Sequence, residues 1–385
     1  MRKIKKDIEK KIKILLIFSN IDYAKEFYWF AKYINREKFN PIFLFLNPEI
    51  YEIEKQISDL GFTVYHINYE NKKNLLSAIF KTILLILKEK PKIIHSQLFD
   101  ATIVGNISAI LTFKKNIIIT RHHSDYHHVY FPKAVFYDRI INFLSKKIIV
   151  PSSSFLKVFR KEKTSLKKVI VIYHGFDFEE MENVSTEKLF EIRKKYEINS
   201  NYYPIIGVIS RFTHWKGIQY IIPAFKKLLN LYQNSLLILA NAVGDYEQEI
   251  LKLLREIPSS NYRIIKFEPE IYCLYKSFHV FVHVPIRKEA ESFGQVYVEA
   301  LFLEVPSIFT LSGIAAEFKI FQELAEIVDY KNSEQIYNKL LKILNNYSFY
   351  KNKLRNSKEI IKKMFSFDRK INQLQNLYMN LCVKN

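Results

Sequence analysis

The chain has 385 residues, 49% of them hydrophobic and 25% charged, a composition that excludes a largely disordered protein and, at this length, points to two domains of similar size. The formal net charge is +20, and residues 1–180 hold most of the surplus, with 31 Lys and Arg against 18 Asp and Glu. Such a field favours an anionic partner: phosphorylated substrates, nucleic acid or an acidic membrane face.

Strand-like apolar runs fall at residues 12–18, 41–46, 62–67, 92–95, 116–120, 147–150 and 169–172, with helical patterns between them. The same alternation returns at 205–210, 235–240, 263–267, 278–284 and 307–310, and the pattern is helical beyond Asn332. Strands separated by helices imply parallel sheets covered on both faces, because a parallel crossover needs a dozen or more residues. The expected class is therefore α/β, with two Rossmann-like doubly wound domains over residues 1–180 and 181–366. Residues 177–201 are polar and form the junction, and a last helix over 367–385 is expected to pack back on the first domain. The run from Asp177 to Glu180 reads as a solvated linker and not as a divalent-metal Asp-x-Asp motif.

Cys273 and Cys382 are too few and too distant for a disulfide framework or a metal-ligand spacing. No apolar run reaches the ~18 residues of a membrane-spanning helix, and residues 1–13 are too basic for a signal peptide. The expected location is the cytoplasm. Glycine is scarce, eight in all. Gly61, Gly105 and Gly244 read as a cap, a packing contact and a turn, whereas Gly175, Gly207, Gly217, Gly294 and Gly313 stand beside polar residues near strand ends, where open α/β sheets bind ligands.

Two motifs in the second half carry chemistry. In the first, Gly207-Val-Ile-Ser-Arg-Phe-Thr-His-Trp-Lys-Gly217, Arg211 and Lys216 follow a strand and precede a helix start whose backbone N–H groups favour anions. A planar guanidinium and a compact ammonium there would clamp a diphosphate without a metal ion. Two solvated loop cations would have the same spacing. In the second, Glu291-Ser-Phe-Gly-Gln-Val-Tyr-Val-Glu299, residues 292–295 are expected to open a helix, with Gly294 admitting a ligand close to the backbone. Glu299, a turn inside, suits a ribose diol, and Glu291 suits a sugar hydroxyl. Each glutamate taken singly fits an ordinary surface helix.

Together, Ser210, Arg211, Lys216, Gly217, Glu291, Phe293, Gly294 and Glu299 resemble, in order and spacing, the signature of the retaining GT-B glycosyltransferases of family 4, also called group 1. The resemblance continues through Pro306 and the turn at 313–317. It implies two Rossmann-like domains facing a central cleft. It also implies that Arg211 and Lys216 bind the donor pyrophosphate, that Glu299 holds the ribose, and that Glu291 holds the donor sugar. Ser292 and the amides of Phe293, Gly294, Gln295 and Val296 would contact sugar and phosphate. In the first half, residues 91–102 resemble the family's cleft-facing strand and loop, with His95 as a candidate, and residues 119–124 resemble the next. Members use a histidine there near the transferred sugar, which points to His122, with His123 second. His174 and Gly175 resemble the turn that leaves the N-terminal domain. Relatives carry a glycine-rich loop after the first strand, but residues 18–23 contain no glycine; Asn20 or Asp22 would cap the helix that follows, and Asn20 is a candidate acceptor contact.

His122, His123, His127 and His128 also invite a metal reading, with His123 and His127 sharing a helical face, but Asp125 would point to the other side, so no metal or other cofactor is expected. Residues 1–13 space Ile4, Ile8 and Ile12 among lysines as a membrane-surface helix does, and the basic-aromatic zone at 131–168 suits either a lysine-rich solvated surface or peripheral contact with an anionic membrane. The function implied is transfer of a hexose-type sugar from a nucleoside-diphosphate sugar to a hydroxyl of a glycan or lipid-linked saccharide, with retention of configuration. The alternatives are a sugar-nucleotide epimerase of the same architecture, a basic nucleic-acid-binding protein, for which no recognisable module is present, and a catalytically idle lectin-like binder.

Overall fold

The computed structural model describes residues 11–383. The chain divides into two compact units, one formed by everything up to Phe176 together with the segment from Phe367, the other by Asp177–Ser366. The basic membrane-surface helix expected over residues 1–13 falls mostly outside the described residues; its last members, Ile12 and Lys13, belong to a strand.

In the first unit, β1 (Ile12–Ser19), β2 (Phe39–Asn47), β3 (Thr63–Asn68), β4 (Ile93–Gln97), β5 (Ile117–Thr120), β6 (Lys147–Val150) and β7 (Val169–Val171) form a sheet in the order β3-β2-β1-β4-β5-β6-β7. Every pairing is parallel. The residues of β1 from Ile14 to Phe18 are almost wholly buried, as expected of a strand covered on both faces, and this is why it reads as a continuous apolar run without alternation.

The second unit contains β8 (Ile205–Ile209), β9 (Leu236–Ala240), β10 (Tyr262–Ile265), β11 (Val280–His283), β12 (Ser307–Phe309) and β13 (Glu326–Ile327) in the order β10-β9-β8-β11-β12-β13, again all parallel. In each sheet the chain winds outward over three strands and then returns to the other side of the first. This creates a switch point between β1 and β4, and another between β8 and β11. The register Phe281↔Gly207 puts the carboxyl ends of β8 and β11 side by side. Around them Val208, Phe212, Phe225, Leu239, Val282 and Leu340 pack as one apolar core.

Two local expectations need correction. β13 has no counterpart in the sequence reading, because a two-residue strand is too short for a periodic pattern; its Glu326 is held by Lys339, Lys342 and Tyr350. Asp177 is no solvated linker. It is buried, and its carboxylate accepts the Glu180 amide at 3.3 Å, capping the short helix Phe178–Glu182.

The final helix, Phe367–Val383, belongs to the first unit. The Phe367 amide donates to the Phe176 carbonyl, its ring meets Trp29 edge to face, and Gln375 Oε1 accepts the Asn35 amide. Tyr378 is fully buried, with its hydroxyl 2.7 Å from His95 Nδ1. Replacing Tyr378 by Phe leaves that buried nitrogen unpaired and should cost the first unit about 1–3 kcal/mol. A chemical-denaturation midpoint equal to that of the parent protein would contradict this.

Candidate functional site

The site in the second unit is built where β8 and β11 end. After Ile209, the Ser210 amide pairs with the Ala240 carbonyl, and the chain leaves the sheet. Ser210 is buried, whereas Arg211 is exposed, so its guanidinium stands in solvent at the strand's carboxyl end. A single 3₁₀ turn, His214–Lys216, leads to Gly217 and the helix Ile218–Leu229. Gly217 has φ +78°, and a Cβ there would lie 1.9 Å from the Val284 carbonyl oxygen, so only glycine lets this loop press against the end of β11.

That close approach positions Lys216. Its Nζ lies 2.5 Å from Glu291 Oε1, across 75 residues of sequence, and the same oxygen is 2.9 Å from Nε2 of His283, the last residue of β11. Glu291 is itself anchored, since its amide donates to Ser312 Oγ at 3.0 Å, and Ser312 donates to the Lys288 carbonyl. The turn at Gly313, φ +53°, completes the support; an added Cβ would lie 2.4 Å from the Phe293 carbonyl oxygen and 2.8 Å from Glu291 Cβ. Burial pushes the Glu291 carboxyl up, but the Lys216 ammonium and the His283 hydrogen bond outweigh it and hold the group at about 2. Burial pushes the His283 imidazole down, so at neutral pH the ring is uncharged and donates through Nε2.

The helix after Glu291 opens at Gln295, with Gly294 as its N-cap, so Ser292 and Phe293 lie in the loop and not in the first turn as expected. The Phe293 side chain is buried against Phe365. The amides of Gln295 and Val296, as first-turn residues, have no carbonyl partner within the helix and are suited to an anion. Glu299 lies one turn further and accepts a 2.9 Å hydrogen bond from the buried Tyr275 hydroxyl, which fixes its carboxylate. The structure thus joins Lys216 to Glu291 directly and sets Arg211 on the adjoining strand end, whereas Glu299 is oriented by a different partner. Sequence reasoning missed His283, Ser312 and Tyr275. The signal for His283 was available: it is the polar residue that ends the apolar run Val280-Phe-Val.

The first unit holds a second polar cluster at the ends of β4, β5 and β7. His122 Nε2 lies 3.1 Å from Gln97 Oε1, and the ring stacks on His174 with centroids 6.0 Å apart. His174 Nδ1 is 2.5 Å from Glu26, which also pairs with Lys370 of the final helix. Although burial pushes the Glu26 carboxyl up, His174 and Lys370 outweigh it and leave it well below the usual range. Burial brings His122 down to about 3, a neutral imidazole. His95 is different. It is buried, with Nδ1 on Tyr378 and Nε2 on Thr120 Oγ1, so both ring nitrogens are engaged inside the protein. Asn20 is exposed at φ 53° and neither it nor Asp22 caps the helix Lys25–Tyr33, whose N-cap is Ala24.

His123 Nε2 and His127 Nδ1 bind the two oxygens of Asp138 at 3.2 and 2.8 Å, an arrangement not anticipated from Asp125. Among the described residues, this trio brings its donor atoms within 4.8 Å of one another, as a metal site does. The Arg121 guanidinium, however, lies 3.3 Å from the same carboxylate and opposes a second cation there. His128 and Arg121 also share Glu162, so these side chains form one buried hydrogen-bonded network.

The two units are parallel-sheet and Rossmann-like, and one holds a cation-carboxylate pair and an exposed arginine at its switch point, a setting chemically suited to phosphate and hydroxyl groups. Known proteins share this architecture. The model of "Glycosyl transferases group 1" matches residues 190–363, and that of "Glycosyltransferase Family 4" matches residues 31–180. The chain belongs to this family of glycosyltransferases. The capsular polysaccharide biosynthesis glycosyltransferase CapM of Staphylococcus aureus is 28% identical over 312 residues, covering 79% of this chain and 80% of its own. The fold is that of HepE of Anabaena, solved with UDP and glucose (TM-score 0.78, 16% identity, 96% of this chain and 99% of that one). Sucrose-phosphate synthase of Thermosynechococcus elongatus shares it as well, with TM-score 0.79, 15% identity, and coverage of 97% and 100%. No helix among the described residues is long and apolar enough to cross a membrane.

The Glu291 geometry has a pH consequence. Its folded value of about 2 lies below the ordinary 4.5, so the stabilisation is fully present above pH 4.5 and is lost as the pH falls through 2. Glu291→Gln should flatten the decline in thermal unfolding temperature between those limits. An acid limb of the same steepness in the variant would mean that the pair contributes no such linkage.

Proposed function

We propose that the protein transfers a hexose-type sugar from a nucleoside-diphosphate sugar to a hydroxyl of a glycan or lipid-linked saccharide, with retention of anomeric configuration. The observation that carries this reading is the Lys216–Glu291 contact at the end of β8, beside exposed Arg211. Arg211 and Lys216 bind the donor diphosphate and stabilise the charge that grows on it as the glycosidic bond breaks. Glu291, ionised and fixed by His283 and Ser312, accepts hydrogen bonds from donor-sugar hydroxyls, and Glu299, fixed by Tyr275, accepts them from the ribose. The amides of Gln295 and Val296 add donors for phosphate. His122, as a neutral imidazole, offers a hydrogen bond to the transferred sugar without adding charge.

No step in this reading requires a metal or cofactor, since the two cations do the electrostatic work. The relatives support it: CapM is named for capsular polysaccharide biosynthesis, and HepE has been solved with UDP and with UDP-glucose.

The test is thermal stabilisation by UDP-, GDP- and ADP-sugars. One nucleotide class should raise the unfolding temperature, corresponding to about 2.7 kcal/mol at a hundredfold excess over Kd. Arg211→Ala should abolish the shift, and in a transfer assay it should lower kcat by about 10²–10³. An undiminished shift in the variant removes the diphosphate clamp from the proposal. Turnover of the donor to an isomer with no acceptor present would replace transfer by epimerisation.

A further inference from the structure

The helix Leu75–Glu89 is apolar on both sides. Ala78, Ile79, Leu85 and Ile86 are buried in the first unit, while Leu76, Phe80, Leu84 and Leu87 are 79, 62, 50 and 55% exposed. Their spacing of four, four and three places the exposed group in one stripe along the helix. A helix apolar all round is normally covered, so the stripe calls for an occupant.

The stripe does not stand alone. The neighbouring helix Phe99–Leu111 is tied to the first by Ser108 Oγ donating to the Ile79 carbonyl at 3.2 Å. It ends in exposed Ile110 and Leu111, followed by Phe113, which is 91% exposed. On its other side Asn106 Nδ2 donates to the Ile141 carbonyl at 3.2 Å, joining it to the helix Ala134–Leu144. That third helix exposes Phe136, Ile140 and Phe143, again one stripe, at 63, 40 and 79%. Large apolar side chains on three adjoining helices exceed the scattered singles of an ordinary soluble surface.

The charge around the stripes identifies the occupant. The exposed positions of the three helices and the turn after the second carry Lys81, Lys88, Lys115 and Arg139, and no Asp or Glu. Of the acidic residues on these helices, Asp138 is buried, Asp100 is half-buried in the first turn of the second helix, and Glu89 is paired with Lys13. Lys168 lays its ammonium 5.6 Å from the Phe143 ring centre, so apolar surface and cation are interleaved at that edge. A second copy of a chain with net charge +20 would bring the same cations to the contact. Aliphatic and aromatic groups that need no directional partner, rimmed by cations, match hydrocarbon beneath an anionic headgroup layer.

We propose that the outward face of helices 75–89, 99–111 and 134–144 docks the protein on an anionic lipid bilayer. The apolar stripes enter the acyl boundary, and the basic residues meet the headgroups. This goes beyond the sugar-transfer reading and does not depend on it.

Flotation of the full chain with vesicles tests it. Phosphatidylcholine vesicles with about 30% phosphatidylglycerol should bind at least about tenfold more tightly than pure phosphatidylcholine. The double variants Phe80→Ser/Leu84→Ser and Phe136→Ser/Phe143→Ser should each weaken binding about tenfold. Lys81→Glu/Lys115→Glu should abolish the preference for the anionic lipid. All alter exposed positions, and an unchanged unfolding temperature shows that loss of binding is not loss of fold. Equal binding by the serine variants overturns the proposal. So does light scattering that shows a dimer of the parent protein dissociated by those substitutions, which would make the face a contact between copies. Loss of all vesicle binding in Ile4→Ser/Ile8→Ser, with the serine variants binding normally, would assign the membrane contact to the chain's first residues instead.

Discussion

Lys216 and Glu291 come from loops 75 residues apart, and the arrangement of the loops that follow β8 and β11 depends on their meeting. Taking two charges out of water is expensive, and their attraction offsets the cost only when further hydrogen bonds satisfy the remaining polar groups. Here those bonds are present: His283 donates to the carboxylate, and Ser312 holds the Glu291 backbone. The carboxylate is thereby kept ionised in a buried place, so its loop is held by several independent contacts. Gly217 and Gly313 are the steric condition for the same geometry, since a side chain at either would strike a backbone carbonyl of the facing loop.

The same logic recurs in the first unit with different residues. Arg121 is buried between Asp138 and Glu162, and three histidines complete the hydrogen bonding of these two carboxylates. Nearby, Glu26 is shared by His174 and by Lys370 of the final helix, which ties the last segment of the chain to the polar end of the sheet. In both units, polar side chains at strand ends are fixed by partners on neighbouring crossovers.

Much was legible in the residues themselves. A parallel strand buried on both faces must be a short apolar run, so twelve strands announced themselves, and their alternation with helices defined two doubly wound sheets. The spacing within each motif was equally local: Arg211 and Lys216 around one strand-to-helix turn, Glu291 and Glu299 around another. The resemblance to family 4 glycosyltransferases rested on those local intervals, and the family matches cover the same stretches.

What only the tertiary structure decided was the pairing of groups that sequence distance hides. Nothing in the chain couples His283 to Glu291, Tyr275 to Glu299, or Asp138 to His123 and His127, because each bond depends on how crossovers pack across a sheet. His95 and Asp177 mark the same limit from the other side: both stand in polar neighbourhoods of the sequence, yet the fold engages both ring nitrogens of one and turns the other into a helix cap. The sequence alone determined the two α/β sheets and the local motifs, since hydrophobic periodicity and turn chemistry act over a few residues. Which polar groups meet, and in what charge state, depended on three-dimensional burial, because desolvation and Coulomb attraction follow distance in space and not separation along the chain.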